Sequence, residues 1–239
     1  YITVHKYNSI KLIGFSLKTI LFKYPYEVIK YLITKTGLFT STIAEAGAFL
    51  KTRDDLEAPN IQFHYAPALI VDHGRSLLWG TGMSCHSCLL RPKSRGEVTL
   101  ESADPFADPL IDPKFLSHPD DMKDMIDGYK IMMKVLGTEP FSKYISDHTM
   151  RPIDINDDSD IEQAMREEAD TVYHPVGTCK MGDDEMSVVD SRLKVHNMKG
   201  LRVVDASIMP TLVGGNTNAP TIMIGEKASD MILQDWNMH

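Results

Sequence analysis

Cysteine is scarce in this chain. Three thiols among 239 residues cannot build a disulfide framework, and an odd number leaves at least one unpaired when the chain is alone. Long apolar runs are missing too. The most hydrophobic early stretch, Leu12 to Ile33, is broken by Lys18, Lys23, Glu27 and Lys30, so no segment approaches the 18 or more apolar residues of about one membrane span. There is no block of basic residues. Lys and Arg number 25 against 33 Asp and Glu, a net charge of −8, and that balance excludes a phosphate-backbone footprint and with it nucleic acid. No G-x-S-x-G is present to anchor a serine hydrolase, and no N-x-S/T offers a glycosylation acceptor. The chain opens on Tyr1, with neither an initiator Met nor a short apolar segment and small-residue cleavage site. The expectation is processing or a fragment.

What is present is a folded composition: 43% hydrophobic, 24% charged, 15 Gly and 13 Pro. The length suits one large domain or two small ones. Ile10 to Phe22 and Tyr26 to Ile33 read as two short amphipathic helices parted by Pro25, with their apolar faces packed on a core. Residues 61–71 and 77–90 carry β-type runs that predict an antiparallel sheet with alternating faces, and Val98 to Leu100 adds a short strand. From Pro119 the period changes. Met122, Met125, Ile126, Tyr129, Met132, Met133 and Leu136 recur at helical spacing and Gly137 marks the end, so the methionine stripe is core and not a metal site. Ser159 with Glu162 predicts a capping box for a second helix reaching about Ala169. Leu201 to Val204 has the look of a buried parallel strand that delivers Asp205 at its C-terminal edge. A last helix is expected from about Pro220 to Leu233.

Several motifs are decoys. Cys85-His86-Ser87-Cys88 has redox-motif spacing but lies in a strand-like run, without the helix start that lowers a thiol pKa, and zinc would need a second ligand pair. Gly80-x-Gly82 lacks the third glycine of a dinucleotide fingerprint and reads as a turn. His64, His73, His86, His118, His148 and His196 have no partner at usable spacing and read as surface or strand residues. Asp190, Arg192, Lys180 and Lys194 read as a solvated loop and hairpin. Asp154 to Asp160 reads as a loop ending in a helix start.

Two segments point to chemistry. In Tyr173-His174-Pro175-Val176-Gly177-Thr178-Cys179-Lys180-Met181-Gly182, Pro175 restricts His174 to extended angles and Gly177 permits close backbone approach, so a stiff loop presents the imidazole. Taken alone, the segment reads first as a satisfied loop histidine. The second segment runs from Leu201 through Asp205, Ala206 and Pro210 to Gly214-Gly215-Asn216-Thr217-Asn218-Ala219-Pro220. Strand, carboxylate, glycine pair, two asparagines and a helix start are the parts of a cofactor cradle, in which free helical N–H groups favour an anion or an electron-rich carbonyl.

Together, HPVGTCKMG (174–182), VVDSRLKVHNMKGLRVVDASIMP (188–210) and GGNTNAPTIMIGEKASDMI (214–232) resemble the C-terminal part of the glucose-methanol-choline (GMC) flavin oxidoreductases, and most nearly their insect glucose dehydrogenase branch. Residues 89–116 and 37–52 add weaker support. The resemblance implies FAD-dependent oxidation of an alcohol or sugar: hydride leaves the alcohol carbon for flavin N5 while a base takes the hydroxyl proton. Carried over by motif position, the active-site pair is His174 and Asn216, the latter eleven residues before Lys227. Flavin contacts fall to Asp205, Ala206, Asn216, Thr217 and Asn218. A neutral imidazole, with an ordinary pKa of about 6.5, can abstract that proton near neutrality. An amide cannot, so Asn216 would orient the substrate oxygen by donating a hydrogen bond.

The fold class implied is α+β: an antiparallel substrate-domain sheet with flanking helices, plus the closing strand and helix of an FAD-binding Rossmann-like domain. The expected divisions are a helical segment over 1–60, a substrate-binding domain over 61–170, and a catalytic loop with FAD-domain closing segment over 171–239. The sheet is expected to run through 61–150. The resemblance favours a quinone-type electron acceptor and an extracellular setting, and implies no metal. Against it stands the missing glycine fingerprint for the ADP half of FAD. The expectation is therefore a fragment lacking about the first half of an enzyme, binding FAD weakly or not at all. The alternative is a noncatalytic binding or scaffold protein that keeps the fold.

Overall fold

A computed structural model describes residues 3–9, 17–42, 44–70, 82–149 and 151–236. It divides into two compact units. The first comprises residues 1–89 and 119–170, the second 90–118 and 171–239.

The first unit is built on an antiparallel sheet. Its strands are β1 (Thr3–Ser9), β2 (Ala46–Leu50), β3 (Ile61–Ala66), β4 (Gly82–Leu89) and β7 (Ile145–Thr149), in the spatial order β2-β3-β4-β1-β7. The register pairs Ile61 with Leu89, Phe63 with Ser87 and His64 with His86. Alternation was the expectation for these strands, yet β4 is buried on both faces except at His86, and β3 nearly so. Central strands flanked on each side bury both sets of side chains, and period 2 is then lost. The stretch read as wholly helical contributes two strands of this sheet, β1 and β2.

Helix α1 (Leu17–Thr34) is continuous through Pro25, which corrects the expected pair of short helices. A proline removes one N–H bond of a turn, and packing of Tyr24 and Tyr31 on Phe39 of the following 3₁₀ turn spans that turn. The Leu38 N–H adds a 2.9 Å bond to Glu27 Oε2. The expected burial of this helix is also corrected. Phe22, Tyr26, Ile29, Leu32 and Ile33 are exposed among the described residues.

Helix α2 (Pro119–Leu136) follows its predicted period. Met122, Met125, Tyr129, Met132 and Leu136 are buried, each large side chain contributing about 1.5–3 kcal/mol of burial. Gly128 lets the helix approach the sheet: a Cβ there would lie 3.1 Å from Ile61 Cδ1 and 3.2 Å from Ser87 Oγ. A short α3 (Glu139–Ser142) leads to β7. Helix α4 (Asp158–Glu168) buries Ile161, Ala164 and Met165. Its cap is Asp157, whose carboxylate accepts from the Ser159 N–H at 2.9 Å, and not the expected Ser159. Glu162, the other half of the expected box, pairs instead with Arg166 one turn on, at 2.7 Å.

Residues 90–118 leave the sheet and join the second unit, so the expected continuity from 61 to 150 is broken. They form a small ladder of β5 (Glu97–Thr99) and β6 (Leu110–Asp112). The core of this unit is Val189, Leu193, Ile208, Met209, Ile224 and Ala228, the last two on α5 (Asn218–Asp235). The expected buried strand at Leu201–Val204 is corrected to an extended segment held by an isolated bridge from Arg202 to Lys194. Leu201 and Val204 are exposed, because the segment has a ladder partner on one side only among the described residues. The far end of α5 is clamped. Arg192 and Lys194 reach the Asp235 carboxylate at 2.7 and 2.5 Å, Arg202 also contacts it, and the cations lie at the negative end of the helix dipole. No described helix is long and apolar enough to cross a membrane.

Candidate active site

Everything in the candidate site belongs to the second unit. The loop over 171–182 is stiffened at each step. Tyr173 takes φ +64° and Gly177 φ +91°, the latter in the left-handed region that glycine enters without strain. A Cβ at Gly177 would meet the Met209 carbonyl at 3.3 Å. Beyond it, the Cys179 N–H bonds the Ser207 carbonyl at 3.0 Å and the Met181 N–H bonds that of Ile208 at 2.8 Å. The histidine loop is thereby laced to the 3₁₀ turn at 206–208. Asp205 caps that turn, its carboxylate accepting from the Ser207 N–H at 2.8 Å.

Gly214, at φ +77°, then turns the chain into α5, and the Arg91 guanidinium lies close over it, 2.8 Å from where a Cβ would sit. Asn216 and Thr217 follow at the mouth of the helix. The two segments singled out in the sequence converge here. His174 Nε2 lies 2.8 Å from Asn216 Nδ2, and His174 Nδ1 lies 2.9 Å from Thr217 Oγ1. Asn216 is exposed, His174 half-buried and Thr217 buried. Burial holds the His174 imidazole below its ordinary pKa, so its neutral form prevails near pH 7. A neutral imidazole beside an exposed amide can accept a proton from a hydroxyl and hold its oxygen.

Asp205, Ala206 and Asn218 surround this mouth in sequence, but their geometry differs. The Asp205 carboxylate is engaged by Ser207, Ala206 is half-buried, and Asn218 is exposed as the first residue of α5. Sequence reasoning did not find the Thr217 bond to His174, the Arg91 cover of Gly214, or the Asp235 clamp. The His64 and His86 juxtaposition also depends on strand register and not on spacing. Burial pushes Cys85 up to about 12 and Cys88 up to about 11, and both are free thiols. His73 and most of the Gly80-x-Gly82 turn lie outside the described residues. Among those described, no group of three or more His, Cys, Asp or Glu is placed to hold a metal.

With this geometry in place, comparison with known proteins is informative. A family model described as GMC oxidoreductase matches residues 92–225. The chain is similar to an "Alcohol dehydrogenase [acceptor]" of Pseudomonas putida, 46% identical over 208 residues, which are 87% of this chain and 38% of that protein. It is 41% identical over 203 residues to an "Oxygen-dependent choline dehydrogenase" of Klebsiella pneumoniae, covering 85% of this chain and 37% of the relative. A solved structure of Aspergillus oryzae formate oxidase, concerned with modification of its FAD, superposes on the whole chain with a TM-score of 0.88. The identity is 24%, and the chain covers 47% of that protein. The chain thus spans under half the length of these proteins.

Proposed function

The chain belongs to the GMC oxidoreductase family, and from that premise we propose that it forms the catalytic-pair portion of an FAD-dependent enzyme that oxidises an alcohol CH–OH group. The observation that carries this reading is the convergence of His174, Asn216 and Thr217 at 2.8 and 2.9 Å from residues more than forty positions apart. His174 Nε2 takes the hydroxyl proton. Asn216 donates its amide N–H to the substrate oxygen and orients the carbon for transfer. FAD, when bound, supplies the acceptor for the hydride.

The residues present fit that cofactor. Helix α5 opens on backbone N–H groups that have no partner within the helix, next to an exposed carboxamide, a donor set suited to the electron-rich carbonyl edge of a flavin. Asn216 and Asn218 would hold that edge, and Asp205 and Ala206 the adjoining backbone. Thr217 would contribute through its main chain, since its hydroxyl is engaged by His174. The unit over 171–239 with 90–118 is then the flavin-facing part, and the sheet unit the substrate-binding part.

The names of the relatives favour alcohols, choline among them, as the substrate class, with sugars as the further candidates. A quinone-type molecule is the proposed electron acceptor. We propose also that the glycine-rich half of the enzyme lies outside this sequence. Support comes from the absent G-x-G-x-x-G and from the 36–38% of curated relatives that the chain spans. The 239-residue chain alone should then bind FAD substoichiometrically; a yellow protein with one flavin per chain would overturn this part.

The test of the chemistry is anaerobic reduction of the flavin-loaded protein, meaning the complete enzyme with its glycine-rich half, by a panel of alcohols, followed by absorbance, with His174→Ala alongside. A loss of about 10²–10⁴ in the reduction rate with flavin still bound is expected. Equal reduction by the variant would remove His174 from the reaction, and no reduction of the wild-type flavin by any alcohol would leave a noncatalytic member of the family. Reoxidation in air against reoxidation by a quinone decides the acceptor.

A further inference from the structure

We infer that Thr217 is a positioning residue that fixes the proton of His174 on Nδ1 and so leaves the lone pair on Nε2. The argument rests on donor and acceptor inventory. The carboxamide nitrogen Asn216 Nδ2 can only donate, and it lies 2.8 Å from His174 Nε2. Nε2 must therefore offer a lone pair. In a neutral imidazole the proton is then on Nδ1 and needs an acceptor, which Thr217 Oγ1 supplies at 2.9 Å. The hydroxyl is buried, with 8% of the residue exposed, so water does not readily replace it.

A second observation explains why this hydroxyl is available. Thr217 stands at the N-cap of α5, where a threonine hydroxyl ordinarily accepts from the N–H two or three residues on. Here the third residue is Pro220, which has no N–H. Thr217 moreover has helical angles, φ −90° and ψ −7°, where an extended backbone would aim the side chain at the first turn, and it makes no side-chain capping bond. The helix start has surrendered its cap, and the freed oxygen points at the imidazole. Free histidine favours the opposite, Nε2–H tautomer, so the hydroxyl and the amide act together to invert a preference. The inference rests on the reading above only in naming Nε2 as the base.

Two-bond ¹H–¹⁵N correlation spectra of the full chain, labelled at histidine and assigned by loss of one signal in His174→Gln, test it directly. Above neutrality the wild type should show a protonated Nδ1 and an unprotonated Nε2. Thr217→Val, which keeps the shape and removes the acceptor, should move His174 toward the Nε2–H pattern, and Thr217→Ser should retain the wild-type pattern. Thr217→Ala serves if the valine variant fails to fold. A wild-type Nε2–H pattern, or an Nδ1–H pattern that survives in the Val or Ala variant, overturns the inference.

In the flavin-loaded protein, Thr217→Val should lower the reduction rate at saturating alcohol by about tenfold or more with KM changed less than about twofold, and Thr217→Ser should recover most of it. Should the wild-type tautomer be as stated while no alcohol reduces the flavin, the proposed function fails and the role of Thr217 in holding the ring stands. Should alcohols reduce the flavin while the tautomer ignores Thr217, the reverse holds.

Discussion

Replacing Asn216 by Asp changes one donor into a charge without changing shape, and the site geometry sets the size of the consequence. Asn216 Nδ2 lies 2.8 Å from His174 Nε2, so a carboxylate there would sit beside the ring when the ring is protonated. Opposite charges about 4 Å apart, in a half-exposed site of effective dielectric about 40, attract by about 2 kcal/mol. That is equivalent to a rise of about 1.5 pH units in the imidazole pKa over the wild type. In the wild type the shift has the other sign, since burial favours the neutral ring.

The stability linkage therefore reverses. In the wild type the unfolded chain binds more protons at this histidine, so the contribution of the site is present above the ordinary imidazole pKa and fades as pH falls through it. In Asn216→Asp the folded pKa is raised, and the contribution is full below the unfolded value and lost as pH rises through the folded one. Histidine ¹H–¹⁵N titration of the chain measures the pKa, and Tm between about pH 5.5 and 8.5 measures the linkage. In the flavin-loaded protein, reduction by alcohol at neutral pH should drop about tenfold or more from protonation of the base, and part of it should return at higher pH. What does not return reports the lost N–H donor. A titration that matches the wild type within about 0.3 pH units would mean that the two side chains do not share a contact, and the reasoning about the pair would fall with it.

Other consequences follow from the packing. Gly128→Ala should gain about 1 kcal/mol of helix propensity but lose about 1–3 kcal/mol to the 3.1 Å approach to Ile61. Ile61→Val, which alone costs about 1 kcal/mol, should recover part of that loss in the double variant, as read by denaturant titration of all four proteins. Thiol labelling of the native chain near pH 8 should modify Cys179 and spare Cys85 and Cys88, whose thiols are held near 12 and 11 by burial. All three should react in denaturant, and fast native labelling of either strand cysteine would contradict the buried β4. Asp235→Asn should lower Tm at neutral pH. Hydrogen bonds led by Lys194 hold that carboxyl down to about 2, so its contribution is present above the ordinary carboxylate pKa and is lost as pH falls through about 2. The difference from wild type should vanish at that end, and a constant difference across the range would contradict the ion-pair clamp.

Sequence patterns revealed some of these elements and hid others for identifiable reasons. Helix α2 was legible because its period and its Gly137 stop are local properties, and a single apolar face is enough to specify it. Strand β1 was not. TVHKYNS has no alternation of its own, and its extended form comes from pairing with β4 on one side and β7 on the other. The cap of α4 was misplaced by two residues because Asp157 and Ser159 are equally good formers, and the choice depends on which side chain meets which N–H. Leu201 to Val204 misled in the opposite direction. An apolar run signals burial only where neighbouring chain exists to cover it.

The same reasoning explains why the two chemical segments could be found while the bond joining them could not. His174 and Asn216 carry distinctive functional groups in motifs that constrain the backbone through Pro175, Gly177 and Gly214, so both segments stand out by residue type, and the structure brings the two side chains together. Thr217 has an ordinary side chain at an ordinary helix start. Its hydroxyl makes no capping bond: Pro220, three residues on, has no N–H, and the helical angles turn the side chain away from the first turn. The signal was nonetheless in the sequence, since a threonine cap with proline at the third helical position has no backbone donor there to satisfy it. A buried polar group that makes no capping bond must find another partner or bear the cost of burial unpaired, and this hydroxyl stands 2.9 Å from the imidazole Nδ1. Local capping rules and the holding of the imidazole are thus one accounting problem at this site, in which a threonine hydroxyl that makes no capping bond lies 2.9 Å from His174 Nδ1.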